Sequence, residues 1–436
     1  MSIDFVILAA GKGSRMKSTN PKIFQTIAEK PIIQYIIDTC KQFSPNIIVV
    51  TRESLLDHKL FDGTITVSQS NPKGTGDAVL QAMPFLKSDN TIILCGDMPL
   101  IETEHLANLV NHSGNTLMAM TIPNELIDMP YGRVILNNEN LEKIVEYKNA
   151  TNEERLIPLA NTGIYKLETS ILKKYINEIK QNPLTQEFYL TDLFEILKAN
   201  EIKTSVIQSE EYWPFHGINT MNDLAKAEEI MQNRLRKKFM NNGVKLLDPK
   251  TTYFSFDTEI DSNVVIEQNV IIKKAVKIHS NARINAFSHI SECEIMENVE
   301  IGPFARIRGN AKFMESSAIG NFVEVKGSII GQNSKAKHLS YIGDTVIGSD
   351  SNIGAGTITC NYDGVKKHKT IIGNKSFIGS NSTLIAPITI EDNTIIGAGS
   401  VINRNVSKNS LAIARCKQSE ITNGAEKIWE NKKKVK

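Results

Sequence analysis

Cysteine is scarce in this 436-residue chain: Cys40, Cys95, Cys293, Cys360 and Cys416 are odd in number, far apart and without a C-x-x-C pair. That excludes a disulfide framework and fits reduced, mostly structural thiols in a cytoplasmic protein. Long apolar runs are missing too, so no segment is expected to cross a bilayer. The start, MSIDFVILAAGKGSRM, lacks the basic opening and cleavage site of a secretory signal. An excess of one charge is likewise lacking, since 50 Lys and Arg against 48 Asp and Glu leave +2. Nucleic acid is therefore not an expected partner, and any anion site has to be built locally. At 41% apolar and 22% charged, the composition excludes a disordered or fibrous chain. The length exceeds what one core usually holds, so two or more domains are expected.

What is present divides into two patterns. Residues 1–220 alternate β-rich runs (Asp4–Leu8, Asn46–Thr51, Thr91–Cys95 and Thr116–Ile122) with longer amphipathic stretches, which predicts an α/β domain with a mainly parallel sheet. Asn222–Met240 reads as one helix, with Leu224, Ala227, Met231, Leu235 and Phe239 on one face and Asn241-Asn242-Gly243 as its stop. It is taken as the connector, residues 221–245. From about residue 264 the period becomes six: Ile266, Ile272, Ile278, Ile284 and Ile290; Ile301, Ile307, Phe313, Ile319 and Val325; then Ile372 to Ile402. Glycine often follows the aliphatic residue, as at Gly302, Gly320, Gly354 and Gly379. This resembles the left-handed hexapeptide β-helix of acyltransferases, with aliphatic residues stacked inside a triangular prism over residues 246–423 and glycine suited to tight corners. Residues 424–436, ending in a lysine run, read either as a solvated tail or as a basic arm for a phosphate-bearing ligand.

The first chemical signal is Leu8-Ala9-Ala10-Gly11-Lys12-Gly13-Ser14-Arg15-Met16, followed by Pro21-Lys22. Small residues after a first strand let backbone N–H groups approach phosphate closely. The spacing is neither G-x-x-x-x-G-K-[ST] nor G-x-G-x-x-G, so neither common nucleotide fingerprint applies. Asp97 follows Leu94-Cys95-Gly96 at the carboxyl end of a strand, where open α/β sheets bind ligands. A carboxylate there suits Mg²⁺, whereas the plainer alternative is an Asp opening a turn before Pro99. Arg15, just after the glycine turn, and Lys22, seven residues on, are candidate phosphate ligands, with a solvated surface charge as the alternative until the motif resemblance is added.

The string from Leu8 to Met16 with Pro21-Lys22 is similar to the signature of sugar-1-phosphate nucleotidyltransferases. In order, Gln69, Gly74-Thr75-Gly76, Gly96-Asp97-Met98-Pro99, Tyr131-Gly132-Arg133, Glu146, Asn161-Thr162-Gly163 and Gly217-Ile218-Asn219 extend it. With the β-helix, the set resembles the bacterial bifunctional N-acetylglucosamine-1-phosphate uridyltransferase/glucosamine-1-phosphate acetyltransferases, from Ile7 to Arg415. The resemblance implies UTP and Mg²⁺ in the first domain, with Leu8, Ala9, Ala10, Gly11 and Gly96 at the nucleotide and Gln69, Gly74 and Thr75 on the uracil. It also implies Gly132, Glu146 and Asn161 at the amino sugar and Asn219 as Asp97's partner on the metal. Both reactants of such a transfer are anions, and one uncompensated contact of unit charges at ~4 Å costs about 4 kcal/mol at an effective dielectric of ~20. Neutralising and aligning phosphates is therefore the main task. His216 departs from the family, which commonly has an acidic residue there; a capping or surface role is expected for it.

In the second domain, Arg308 and Lys326 are 18 residues apart in unbroken register, so one coil should stack them outside the core. Stacked like charges are unfavourable unless an anion bridges them or water screens them. His338, within Ser334–Tyr341, is the candidate general base for an amine attacking a thioester. Lys335 and Lys337 would disfavour its protonated form if near, and Glu324 is a candidate to orient it. A second break, Thr357–Thr370, reads as a lid. By resemblance, Arg308, Lys326, Tyr341, Asn352 and Lys367 hold the amino-sugar phosphate, Asn361 and Tyr362 approach its reacting part, and Ala355, Ser380, Ala398 and Arg415 line the acetyl-CoA path. A homotrimer through the β-helix is implied in the same way; no nucleic-acid or membrane partner is. Two alternatives stay open: a β-helix that only trimerises a nucleotidyltransferase, and a metal-dependent hydratase using His279, His289 and His338, which show no ligand-like spacing.

Overall fold

The computed structural model describes residues 2–11, 13–137, 140–183 and 185–433. Lys12 of the glycine-rich turn and Lys434 of the lysine run lie outside the described residues. The chain forms two compact units, Met1–Asn233 and Arg234–Lys436, and their boundary falls within the helix Met221–Asn241.

The first unit is built on a nine-stranded sheet in the order Ile65–Ser68, Ile47–Thr51, Ile3–Leu8, Asn90–Cys95, Leu159–Glu168, Asn115–Thr121, Thr204–Ser209, Asn140–Val145 and Arg133–Asn137. Leu159–Glu168 and Asn140–Val145 run against the other strands, so the sheet is mainly parallel. The first strand shows why it is central: Phe5 and Ile7 face one core, Val6 the other, and all three are fully buried. Its end pairs with that of Asn90–Cys95 at Leu8 and Cys95, which brings the two following turns side by side.

The second unit is a parallel β-helix of three strand stacks. Val265–Ile266, Ile271–Ile272 and Val276–Ile278 belong to one coil and lie in the first, second and third stacks, of ten, eight and eight strands. Every residue of the six-residue series points inward, none more than 5% exposed. Gly302 does take a left-handed corner, at φ +92°, but the other glycines named for that role act differently. Gly320, Gly354 and Gly379 have ordinary backbone angles, but a Cβ on Gly320 would meet the Lys337 carbonyl oxygen at 1.9 Å and one on Gly379 the Ala398 nitrogen at 2.4 Å. They permit close stacking of coils, while left-handed corners fall largely to asparagine, as at Asn263, Asn269, Asn281, Asn298, Asn310 and Asn333.

One corner breaks that preference. Between the first and second stacks, Phe287, Phe304 and Phe322 take φ of +59°, +53° and +56°, and Leu339 follows at +49°. Bulky side chains pay about 1–2 kcal/mol each for that conformation. The three rings stack at centroid distances of 4.9 and 5.1 Å, yet all remain exposed. The C-terminal segment forms an exposed helix, Gly424–Lys433, in which the Lys432 ammonium lies over the Trp429 ring, so these residues have regular structure where the sequence suggested a plain tail.

Candidate active sites

In the first unit, Leu8, Ala9, Ala10 and Gly11 leave the sheet beside Gly96 and Asp97, and the Gly96 N–H donates to the Leu8 carbonyl at 2.8 Å. Lys22 reaches over this edge: its Nζ lies 2.5 Å from Asp97 Oδ2 and 3.1 Å from Asn219 Oδ1. Arg15 Nη2 donates to the same Asn219 oxygen at 2.9 Å. The Lys22 side chain is only 11% exposed, which removes the solvated-charge reading for it, whereas Arg15 is exposed and is held by its bond to Asn219. Asn219 is fixed by its other end, since Nδ2 donates to the Gly217 carbonyl at 2.9 Å. The backbone N–H groups of Asn219 and Thr220 donate to Asp223 Oδ2, and the Asp223 N–H donates to the Thr220 hydroxyl. That reciprocal capping box starts the helix Met221–Asn241.

The donor set at this edge is one carboxylate and one amide oxygen. No group of three metal-ligating His, Cys, Asp or Glu side chains occurs among the described residues. Few hard oxygens on the protein, with room for waters and phosphates, suit Mg²⁺. Gly217 keeps that room, because a Cβ there would come within 3.2 Å of Asp97 Oδ1. The residues present therefore fit the ion.

Gln69 is buried and donates from Nε2 to the Gly74 carbonyl at 3.0 Å and to Asp77 Oδ2 at 2.6 Å. Gly74 adopts φ +101°, where a Cβ would stand 2.5 Å from the Phe188 carbonyl oxygen, and the Thr75 hydroxyl accepts from the Leu190 N–H. Gly132, Glu146 and Asn161 also come together. The Asn161 N–H donates to the Gly132 carbonyl, and a Cβ on Gly132 would lie 3.7 Å from Glu146 Oε2. Glu146 accepts from the Thr191 hydroxyl at 3.0 Å, and burial pushes its carboxyl above the usual range.

His216 is buried, 3% exposed, which rules out the surface role expected for it. Its Nδ1 lies 2.7 Å from both the Tyr131 and Tyr212 hydroxyls, and its Nε2 lies 3.3 Å from Asp223 Oδ1 without a well-formed hydrogen bond. The Tyr131 phenol is raised by burial first and by Tyr212 second, so it stays a neutral donor.

In the second unit, Arg308 and Lys326 are direct neighbours across one coil of the second stack, and Tyr341 pairs with Glu324 on the next coil. The loop carrying Lys367 folds back, with Tyr362 bridging to Lys367. Asp363 ties that loop by accepting from the Val365 and Lys366 N–H groups and pairing with His368 Nε2 at 2.7 Å. The Lys367 ammonium lies against that of Lys326, whose charge holds its pKa below the ordinary lysine value. Three cations thus crowd one patch, and Arg308 has a carboxylate, Glu324 at 2.7 Å, as its ion-pair partner. Asn361 Nδ2 donates to Asp344 Oδ2 at 2.5 Å, close to the Tyr341 hydroxyl beside Gly343.

His338 and Asn352 stand elsewhere, on the first stack. His338 is exposed, and its Nδ1 lies 2.9 Å from Asn321 Oδ1. Two expectations fail here: Glu324 is engaged by Arg308, and Lys337 turns to Glu300 at 2.7 Å. Asn321, which sequence reasoning missed, sits one coil below His338, but that coil has 17 residues, so the spacing of Arg308 and Lys326 would have pointed to Gly320 instead. Ala355, Ser380 and Ala398 follow successive first-stack strands and lie one above another, since a Cβ on Gly354 would meet the Ser380 nitrogen and one on Gly379 that of Ala398. Arg415 joins this line by donating from Nη1 to the Ala398 carbonyl at 2.8 Å. His289 and His338 lie in the second and first stacks and His279 just follows a third-stack strand, and no group of three metal-ligating side chains occurs among the described residues, so the hydratase alternative has no cluster to stand on.

Comparison with known proteins gives two family matches: a MobA-like NTP transferase domain over residues 5–163, and a bacterial transferase hexapeptide (six repeats) over 275–309 and 369–404. Along the whole chain it is similar to the bifunctional protein GlmU of Zymomonas mobilis, 41% identical over 441 residues and 98% of each chain. GlmU of Wolbachia pipientis wMel is 44% identical over 422 residues, covering 95% of this chain and 97% of its own. GlmU of Francisella tularensis subsp. novicida is 40% identical over 443 residues and 97% of each chain.

Proposed function

Because the chain belongs to the bifunctional GlmU family, we propose a residue-level account of its two reactions. It is a bifunctional transferase of UDP-N-acetylglucosamine synthesis: acetyl transfer from acetyl-CoA to glucosamine 1-phosphate, then uridyl transfer from UTP to the product with release of pyrophosphate. We assign uridyl transfer to residues 1–220, acetyl transfer to 246–423, the connecting helix to 221–245 and a basic tail to 424–436. The enzyme is proposed to act in the cytoplasm; no helix among the described residues is long and apolar enough to cross a membrane.

The observation that carries the uridyl assignment is the convergence of Arg15, Lys22, Asp97 and Asn219 on one sheet edge. Arg15 and Lys22 neutralise the triphosphate, and Lys22 follows the negative charge that gathers on departing pyrophosphate. Asp97 and Asn219 would hold Mg²⁺, which supplies Lewis-acid charge stabilisation when bound. Gln69, Gly74 and Thr75 fix the base, while Gly132, Glu146 and Asn161 orient the sugar so that its phosphate oxygen attacks the α-phosphorus.

In acetyl transfer, Arg308, Lys326 and Lys367 clamp the sugar phosphate, with Tyr341 and Asn352 beside it. His338 takes the proton of the attacking amine as the thioester breaks and CoA leaves as the thiol. With Nδ1–H donating to Asn321 Oδ1, Nε2 is the acceptor. Asn361 and Tyr362 flank the reacting carbonyl, and Ala355, Ser380, Ala398 and Arg415 guide CoA.

A homotrimer completes the proposal. What supports it is the division of the acetyl site over two faces of the prism and the exposed Phe287–Phe304–Phe322–Leu339 stripe at the corner between them. The test is an assay of both half-reactions on the intact chain. Magnesium-dependent formation of UDP-N-acetylglucosamine together with release of CoA is expected; absence of CoA release would return the β-helix to a scaffold role.

A further inference from the structure

His216 lies between two parts of the uridyl site. On one side its Nδ1 meets the Tyr131 hydroxyl at 2.7 Å, and Tyr131 directly precedes Gly132 of the sugar-holding trio. On the other side its Nε2 approaches Asp223 Oδ1 at 3.3 Å, and the second oxygen of Asp223 holds the Asn219 and Thr220 N–H groups. The ring has no room to turn. Tyr131, Tyr212 and Trp213 surround it at centroid distances of 5.2–6.1 Å, and the residue is almost wholly buried.

The tautomer follows from Asp223. A carboxylate facing Nε2 favours the ring proton there, which leaves Nδ1 to accept from a phenol. Tyr131 and Tyr212 both stand at hydrogen-bonding distance from the one Nδ1 lone pair, so they compete for it or bond to each other. On the Asp223 side the contact is long, and Nε2 is left without a regular hydrogen bond. A buried donor in that state is costly, and in native structures it asks for an explanation.

We infer that His216 is a positioning residue that couples the sugar-binding segment Tyr131–Gly132 to the turn carrying Asn219. The inference rests on the uridyltransferase reading of this site. Contact with Asp223 biases the capping box, and the capping box sets where Asn219 Oδ1 stands relative to Lys22, Arg15 and Asp97. Contact with Tyr131 sets the height of Gly132 over Glu146. A sugar phosphate seated by Gly132 and a metal held by Asn219 and Asp97 are thereby registered through one imidazole.

Two near-isosteric substitutions separate the halves of that link, each made in the full chain. In His216→Asn the side-chain oxygen takes the place of Nδ1 and keeps the phenol contact, but nothing reaches Asp223. In His216→Gln the amide nitrogen takes the place of Nε2 and keeps the Asp223 contact, but the phenol loses its acceptor. The Gln variant is expected to raise KM for N-acetylglucosamine 1-phosphate about tenfold with little change in kcat, the scale of one lost hydrogen bond. It should weaken binding of UDP-N-acetylglucosamine by a similar factor in calorimetry with EDTA present, where no metal contributes. The Asn variant is expected to leave that metal-free binding unchanged and to lower kcat about tenfold at saturating sugar. If both variants lose thermal stability but keep native KM, kcat and product affinity, His216 is merely structural and the inference fails. Equal effects of the two variants on KM and kcat would also overturn it. An intact native chain that forms no UDP-N-acetylglucosamine would instead overturn the functional reading beneath.

Discussion

Lys22 and Asp97, 75 residues apart in sequence, form an ion pair of 2.5 Å at the sheet edge, and Asn219 accepts from Lys22 beside it. The pair is largely buried, so removing one partner leaves the other charge uncompensated. Asp97→Ala is expected to lower uridyl transfer by about 10²–10³-fold, with chelation of the native enzyme imitating it. Acetyl transfer by the same preparation should stay near the native rate. Parallel assays of both half-reactions check this, and full magnesium-dependent activity in Asp97→Ala would refute the assignment.

His338 gives the converse case. His338→Ala should reduce acetyl transfer by about 10²–10⁴-fold, the range for a lost general base, and leave uridyl transfer intact. Asn321→Ala should have a smaller effect, about tenfold, because it removes only the group that orients Nδ1. Equal loss of both activities in His338→Ala would contradict independent sites.

How far the chain could be read follows from the range of each signal. The six-residue series was legible because each member fills the same interior position, so Ile266 and Ile402 report one environment although they stand far apart. The corners were less legible. Glycine beside an inward aliphatic residue suggested left-handed backbone, but that task falls largely to asparagine, and the recurrence of Asn at Asn263, Asn269 and Asn281 already carried the message. Position after a strand already singled out Arg15, Lys22 and Asp97, but Asn219 came from resemblance, because no spacing rule brings residue 219 to residue 15. The partners of Glu324, Lys337 and His216 were not legible at all, since each depends on which way a side chain leaves a strand or turn. Thr220 and Asp223 were an exception, as T-x-x-D before an apolar run is a readable cap.

Lys326 and Lys367 make a prediction through repulsion. The Lys326 ammonium holds the pKa of Lys367 down, which an anion bound between them would reverse. Lys326→Ala should raise KM for glucosamine 1-phosphate by about tenfold or more, as for loss of a charge-assisted phosphate contact. The remaining binding should depend less on salt than that of the native enzyme. Titration of KM against ionic strength checks both statements, and an unchanged slope would place the phosphate elsewhere.

Asp192 offers a pH test of the first unit. Burial first, then the nearby Glu195 and Glu146, push its carboxyl up to about 6. A carboxyl whose folded value exceeds its unfolded one keeps its proton longer in the native state. Its contribution to stability is therefore best below the unfolded value and declines as pH rises through about 6. Asp192→Asn should raise the unfolding temperature at pH 7.5 relative to the native chain, and that gain should vanish near pH 4. Thermal unfolding at the two pH values decides it; a larger gain at the acid end would reverse the sign and sink the claim.

Phe304 stacks between Phe287 and Phe322 at an exposed corner where the backbone is left-handed. Asparagine accepts that conformation more readily than phenylalanine, so Phe304→Asn should relieve backbone strain without unfolding the coil. It would also open a gap in the apolar stripe that runs on to Leu339, next to His338. If the stripe is the surface on which copies associate, the variant should dissociate at micromolar concentration in sedimentation velocity. Acetyl transfer should then fall with dilution while uridyl transfer, housed in the other unit, does not. A variant that keeps the native mass and acetyl activity at every concentration, with an equal or higher unfolding temperature, would show that the ladder only braces its own coil.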